Sequence, residues 1–392
     1  MNRLTTSWGA FDLARFPEDP RDTLRAWDAA DEYLLRHLHG IDGAPPVDLS
    51  GAVVVVGDRW GALATALAAH RPAGSEHPVV QITDSYLGQE ATRTNLTRAG
   101  VTADRARLLS ARDTPPGRVD VLLVRVPKSL ALLEDQLHRL APAVHENTVV
   151  VGTGMVSEIH TSTLKLFESV IGPTRTSLAA KKARLIFCSP DMGLTRVPSP
   201  WPLTYALPAD VGTLAGRTVT NHAGIFCAER LDIGTRFFLR SLPRRRGHDQ
   251  VVDLGCGNGV IGTAAAVANP EAEVTFVDES FSAVASARAT FGDNAPAGAT
   301  ARFVVGDGMS ALPDGSADLV LNNPPFHSHR ATTDTTARRM FADARRVLRP
   351  GGELWVIGNR HLGYHVRLRR LFGNCEVVAS DPKFVVLRAV RG

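Results

Sequence analysis

The sequence predicts an α/β protein made of two tandem, mostly parallel, doubly wound sheets. Three observations carry that reading. Short apolar strands alternate with helix-patterned stretches along most of the chain. Strands that are apolar throughout, rather than alternating, belong in a parallel sheet covered by helices on both faces. The whole pattern then recurs in the second half, and 392 residues are enough for two or three domains at ~150 residues each.

In the first half, the strand over 53–56 runs into Gly57-Asp58-Arg59-Trp60-Gly61 and an alanine-rich helix over 62–69. A strand over 79–83 follows, ending at Asp84. A further strand over 119–126 leads to Pro127-Lys128, then a helix over 130–140, Ala141-Pro142 and a strand over 148–151. In the second half, the strand over 251–254 runs into Gly255-Cys256-Gly257-Asn258-Gly259 and a helix over 260–268, stopped by Asn269-Pro270. Strands over 274–277 and 303–305 end at Asp278 and Gly306-Asp307. The strand over 319–321 leads to Asn322-Asn323-Pro324-Pro325-Phe326, and a helix over 341–348 with Arg349-Pro350-Gly351-Gly352 precedes a strand over 353–357. The proline-rich stretch 189–208 is poor in helix and ladder potential and marks the boundary, giving domains 1–200 and 201–392. Residues 222–242 read as a lead-in helix ended by Arg240 and Arg244-Arg245-Arg246.

Composition narrows the class. The formal net charge is only +4, with 44 basic residues of which Lys128, Lys165, Lys181, Lys182 and Lys383 are the lysines. Arginine suits phosphate contacts, but so mild an excess does not by itself call for nucleic acid. The four cysteines form no C-x-x-C pair, so neither a disulfide framework nor a metal site is expected. The first twenty residues lack the apolar run of a signal peptide, and no run approaches the ~18 apolar residues of a membrane span. A cytoplasmic protein without a membrane partner is the expectation.

The glycine turn after the strand over 251–254 fits a nucleotide-type ligand. Gly257-x-Gly259-x-x-Gly262 satisfies the dinucleotide fingerprint. Asp253 just before the glycines points instead to a ligand with a cationic amino-acid tail, and bare glycines let a bulky ligand lie close. Asp278 is placed to accept from ribose hydroxyls, and Asp307 from an adenine amino group. The expected cofactor is therefore S-adenosylmethionine, held by Asp253, Gly255, Gly257, Asn258, Gly259, Asp278 and Asp307.

The discriminating element is Asn323-Pro324-Pro325-Phe326 at the carboxyl end of a strand, where such sheets bind ligands. Two prolines fix φ and remove two N–H donors, so the Asn323 and Pro324 carbonyls are held as rigid acceptors. Methylation of a planar amine calls for such acceptors, because its lone pair is delocalised and must be aligned on the methyl donor. Phe326 would stack on the flat acceptor. Asn323, Pro324 and Phe326 are the candidate catalytic residues; His327 stands either beside the base or as a turn cap.

With these residues in place, the chain resembles class I S-adenosylmethionine-dependent methyltransferases, and more narrowly the bacterial rRNA guanine-N2 methyltransferases of the RsmC/RlmG type. The carriers are Asp253-x-Gly255-x-Gly257, Asn323-Pro-Pro-Phe326-His327, Leu348-Arg-Pro-Gly-Gly352, and Gly224-Ile-Phe226 with Leu231-Asp-Ile-Gly234-Thr235. The resemblance implies two Rossmann-like class I methyltransferase domains, the first degenerate and the second catalytic. It also implies a closing antiparallel hairpin, which 375–379 and 384–387 fit. The implied reaction is methyl transfer to the exocyclic N2 of a guanine in ribosomal RNA, with the base unpaired or flipped out. A protein glutamine or adenine N6 as acceptor, or a non-enzymatic rRNA-binding scaffold, are the competing readings.

The first domain departs from the pattern. Arg59 stands where the second has Gly257, and Arg125-Val126-Pro127-Lys128 stands at the Asn323–Phe326 position. A guanidinium in that turn would fill it and repel a sulfonium. This domain is expected to bind no S-adenosylmethionine and to serve instead as an RNA platform, with Lys128, Lys181, Lys182 and Arg184 as phosphate contacts.

Overall fold

A computed structural model describes residues 3–20, 22–40, 45–71, 75–325 and 330–392. The chain divides into two compact units, Met1–Pro200 and Trp201–Gly392.

The first unit opens with an antiparallel pair, Arg3–Thr6 and Gly9–Asp12, and helix α1 (Ala29–His39). There follow β1 (Val53–Val56), α2 (Ala62–His70), β2 (Val79–Thr83), α3 (Tyr86–Arg98), β3 (Ala106–Ser110), β4 (Val119–Arg125), α4 (Leu130–Leu140), β5 (Val144–Met155), α5 (Thr161–Val170), β6 (Thr174–Thr176) and β7 (Ala183–Cys188). The sheet order is β3-β2-β1-β4-β5-β7-β6. It is parallel except where β7 runs against β5 and β6.

The second unit repeats this plan. An antiparallel pair, Leu203–Ala206 and Thr218–Asn221, precedes α6 (Ile233–Leu239). Then come β8 (Gln250–Leu254), α7 (Val260–Ala268), β9 (Glu273–Asp278), α8 (Phe281–Asn294), β10 (Thr300–Val305), β11 (Ala317–Asn322), α9 (Arg330–Val347), β12 (Leu348–Asn359), α10 (Tyr364–Phe372), β13 (Glu376–Ser380) and β14 (Phe384–Val390). The order β10-β9-β8-β11-β12-β14-β13 matches the first sheet strand for strand.

The continuous apolar strands have the expected cause. On β1, Val53 and Val55 enter one core while Val54 and Val56 enter the other; on β4, Val121 and Leu123 oppose Leu122 and Val124 in the same way. The second sheet does likewise, with Leu319 and Leu321 on one face and Val320 on the other. Both faces are covered, so both side-chain sets must be apolar. Asp253 is the exception on β8, buried between the core residues Val252 and Leu254, and a fully buried carboxylate there calls for a partner.

Three expectations are corrected. The lead-in helix is much shorter than 222–242: Gly224 (φ 91°) and Cys227 (φ 55°) take left-handed conformations that break it, and the helix begins only where the Asp232 side chain caps it, accepting from the Thr235 N–H. The proline-rich boundary stretch contains a strand, because Leu203–Ala206 pairs with Thr218–Asn221. The residue of the first unit that corresponds to Asp278 is Thr83 rather than Asp84. Each pairs at the end of its strand, Thr83 with Ser110 and Asp278 with Val305, and each accepts from the N–H of the following helix cap, Ser85 and Ser280.

Candidate active site

In the second unit the β8–α7 turn lies at the carboxyl end of the central strand. Gly255, Gly257 and Gly259 all have left-handed φ, of 71°, 52° and 74°. Two of them have distinct reasons to be glycine. A Cβ on Gly259 would lie 2.6 Å from the Cα of Ala287, so α7 and α8 approach too closely for a side chain. A Cβ on Gly257 would meet nothing within 4 Å: that side of the turn is open, a cradle that a side chain would fill.

Two carboxylates frame the turn. Asp278 accepts from the Gly257 N–H (3.0 Å) with Oδ2 and from the Ser280 N–H (3.0 Å) with Oδ1. Burial raises its pKa against the pull of these backbone donors. Asp253 is fully buried and accepts from the Gly262 N–H (2.8 Å) with Oδ2, while its Oδ1 is buried without a hydrogen-bond partner. Desolvation, aided by the nearby Asp278 charge, pushes the Asp253 carboxyl up to about 8. An orphaned carboxylate oxygen beside an open glycine turn fits a ligand that brings its own cation.

The other expected cofactor residues are differently engaged. Asn258 donates to Asn221 Oδ1 (2.9 Å) and to the Tyr205 hydroxyl (3.5 Å), which ties the turn to the strand pair that opens the unit. Asp307, just beyond β10, forms an ion pair with Arg339 of α9 at 2.5 Å.

At the end of β11, Asn322 Nδ2 donates to the Leu254 carbonyl (2.8 Å), binding that strand end to the end of β8. This sets Asn323 beside the glycine turn in the chain's register. Asn323 Nδ2 donates to Thr235 Oγ1 (3.0 Å) on α6, and its own Oδ1 is buried without a partner. Pro324 is buried and Pro325 exposed. Phe326 and His327 lie outside the described residues. Sequence reasoning missed Thr235 and Asp232 as neighbours of the site; 88 positions separate Thr235 from Asn323, and the readable signal was Asp232-x-x-Thr235 as a helix cap.

In the first unit the same backbone carries another set of side chains. Strand register places Val55 at the Asp253 position, Thr83 at Asp278 and Arg125 at Asn323. Arg112 stands at the Asp307 position, two residues beyond β3 as Asp307 is beyond β10. Val55 simply packs into the core. Arg125, fully buried, binds Asp28 (2.6 Å), Glu158 (2.8 Å) and Asp31 (3.3 Å). Arg59 reaches Asp28 at 3.2 Å and also pairs with Glu158. Asp28 caps α1 just as Asp232 caps α6, and Asp31 stands where α6 has Thr235. Burial opposes ionisation of Glu158, yet Arg125 and Arg59 outweigh it and hold that carboxyl at about 2, whereas burial pushes Asp31 up to about 7. A knot of five charges fills the place of Gly257, Asn323 and Thr235. Asp58 of the turn meanwhile accepts from the Ala64 N–H (2.8 Å), doing for α2 what Asp253 does for α7.

Residues 1–192 match the family described as RLMG N-terminal domain, and residues 216–388 match the methyltransferase small domain. The chain is 72% identical over 388 residues to a ribosomal RNA large subunit methyltransferase G from Streptomyces avermitilis, covering 99% of each chain. It is 46% identical over 395 residues to the protein of that name from Stutzerimonas stutzeri, again covering 99% of each. Among solved structures, it is similar to the T. thermophilus 16S rRNA N2 methyltransferase RsmC in complex with AdoMet and guanosine, with a TM-score of 0.73 and 21% identity over 100% of this chain and 97% of that one. These matches bear out the expected fold class and a methyltransferase domain in the second unit. The chain belongs to the family of the ribosomal RNA large subunit methyltransferase G proteins.

Proposed function

We propose that the second unit methylates the exocyclic N2 amine of a guanine in large-subunit ribosomal RNA. The relatives are named for methylation of that RNA, and the observation that supports a planar amine as acceptor is the Asn323 amide. Its nitrogen is committed to Thr235, which leaves Oδ1 as a buried acceptor with no partner. That is the group needed to receive an N–H from a base amine.

When bound, S-adenosylmethionine supplies an electrophilic methyl group on a sulfonium. Asp253 Oδ1 would accept from its ammonium, the Gly255–Gly259 turn would lie against it, Asp278 would accept from ribose hydroxyls and Asp307 from the adenine amino group. Asn323 Oδ1 and the Pro324 carbonyl accept the two N–H bonds of the base amine. They hold its lone pair in the line of transfer and favour the positive charge that develops on nitrogen. The cationic product nitrogen loses its proton to water, so no strong general base is required. Phe326 follows Pro325 directly in the chain and supplies the ring on which the extruded base stacks.

The first unit serves as the RNA platform in this reading. Lys128, Lys181 and Lys182 are exposed there, and Lys181 lines a cavity of about 420 Å³ together with Tyr33 and Arg36. Replacing all three lysines by alanine should weaken RNA binding and flatten its salt dependence; unchanged affinity and slope would remove the platform role.

The decisive experiment is mass spectrometry of nucleosides from large-subunit rRNA of a strain lacking the gene. Loss of N2-methylguanosine is expected. Unchanged RNA accompanied by an under-methylated protein would overturn the proposal.

A further inference from the structure

Asp232, Thr235 and Asn323 form a chain of polar contacts joining the cap of α6 to the end of β11. Asp232 Oδ2 accepts from the Thr235 backbone N–H at 2.9 Å and from its hydroxyl at 3.3 Å. Thr235 Oγ1 in turn accepts from Asn323 Nδ2 at 3.0 Å.

The direction of this relay follows from hydrogen-bond inventory. A hydroxyl has one proton, and that of Thr235 is donated to Asp232 Oδ2. That hydroxyl can then offer Asn323 only a lone pair. The end of the Asn323 side chain facing Thr235 must be its NH2, and its carbonyl must face the other way. Without the relay, the two ends of an amide are nearly the same shape and either could face the acceptor site. With the nitrogen outward, two N–H donors would confront the N–H donors of a base amine.

We infer that Thr235 is a positioning residue that, with Asp232 behind it, locks the Asn323 amide with its oxygen toward the amine to be methylated. This rests on the planar-amine reading of the site. The first unit supports it independently. There the cap carboxylate is kept, as Asp28, while the other two positions differ together, Asp31 for Thr235 and Arg125 for Asn323, and Arg125 forms ion pairs of 2.6 and 3.3 Å with Asp28 and Asp31. The relay and the acceptor amide are thus present together in one unit and absent together from the other. Burial is consistent with a tuned contact rather than a surface cap, since Thr235 is only 7% exposed.

The test compares wild type with Thr235→Val and Thr235→Ser in the full-length protein, using rRNA from a strain lacking the gene. Valine keeps the shape and removes the lone pair, whereas serine keeps the hydroxyl. Thr235→Val should lower kcat on the order of 10²-fold, with the KM for RNA and the S-adenosylmethionine affinity within about twofold of wild type. Thr235→Ser should restore kcat to within about threefold. A Thr235→Val enzyme of normal kcat, or a Thr235→Ser enzyme as slow as Thr235→Val, would overturn the inference. Loss of cofactor affinity or of the folded transition in both variants would also overturn it, assigning Thr235 a packing role instead. The methylated product of the wild type reports separately on the acceptor: a product other than N2-methylguanosine refutes the guanine reading, while the Val-to-Ser comparison of kcat still decides the role of Thr235.

Discussion

The two units share a strand order, a lead-in helix, capping serines and glycine-capped first helices, yet they have spent the same crevice differently. In the second unit the turn is open at Gly257, two acids crowd it, and polar atoms on Asp253 and Asn323 lack partners. In the first, the position of Asp253 is apolar, at Val55, and those of Gly257 and Asn323 are closed by charge, at Arg59 and Arg125. A ligand site in this fold is thus marked by what is left unsatisfied. In the first unit the chain's own side chains occupy the corresponding places, down to Asp58 in the helix-facing role of Asp253.

This contrast can be broken from either side. The largest effect is expected in the first unit. Arg125→Ala leaves Asp28, Asp31 and Glu158 around a vacated buried charge, and losing one partner of such a cluster costs ~3–5 kcal/mol. Denaturant unfolding followed by a probe in the first unit should show it, and a loss below ~1 kcal/mol would mean that the charge knot is not what holds the crevice closed. In the second unit, Asn323→Ala should reduce kcat by ~10²-fold or more while leaving S-adenosylmethionine affinity nearly intact, as for removal of one preorganised polar group. An unchanged rate in single-turnover assays would remove Asn323 from the chemistry.

A smaller effect concerns pH. The Asp253 carboxyl is pushed up to about 8 in the folded protein, against about 3.9 in an unfolded chain. Between those values the folded state holds a proton that the unfolded state has released, so the stabilisation is full at low pH and is lost as pH rises through about 8. Asp253→Asn removes that dependence. Without cofactor, the melting temperature of the variant relative to wild type should climb from pH 5 to pH 8.5; parallel curves would show that Asp253 ionises normally.

Much of this was legible in the sequence because it rests on local rules. Apolar strands, the glycine turn, and the acids at 253, 278 and 307 are each recognisable within a few residues, and the duplication made each half a guide to the other. What was not legible depended on register or on distant contacts. Thr83 and Asp84 are adjacent, and only strand pairing with Ser110 shows which of them occupies the position of Asp278. Gly224, which interrupts a helix over 222–232, was visible, but the left-handed Cys227 was not, because nothing in its residue type calls for it. The charge knot brings together residues 28, 31, 59, 125 and 158, and the Thr235–Asn323 bond spans 88 positions. No periodicity encodes such meetings.

The central claim, that one crevice is open to cofactor and its twin is filled, is tested most directly by calorimetric titration of the full-length protein with S-adenosylmethionine. One site per chain is expected, abolished by Gly257→Arg, which installs the first unit's residue in the second unit's turn, and unaffected by Arg59→Gly. Two sites per chain, or binding that survives Gly257→Arg and disappears with Arg59→Gly, would contradict it.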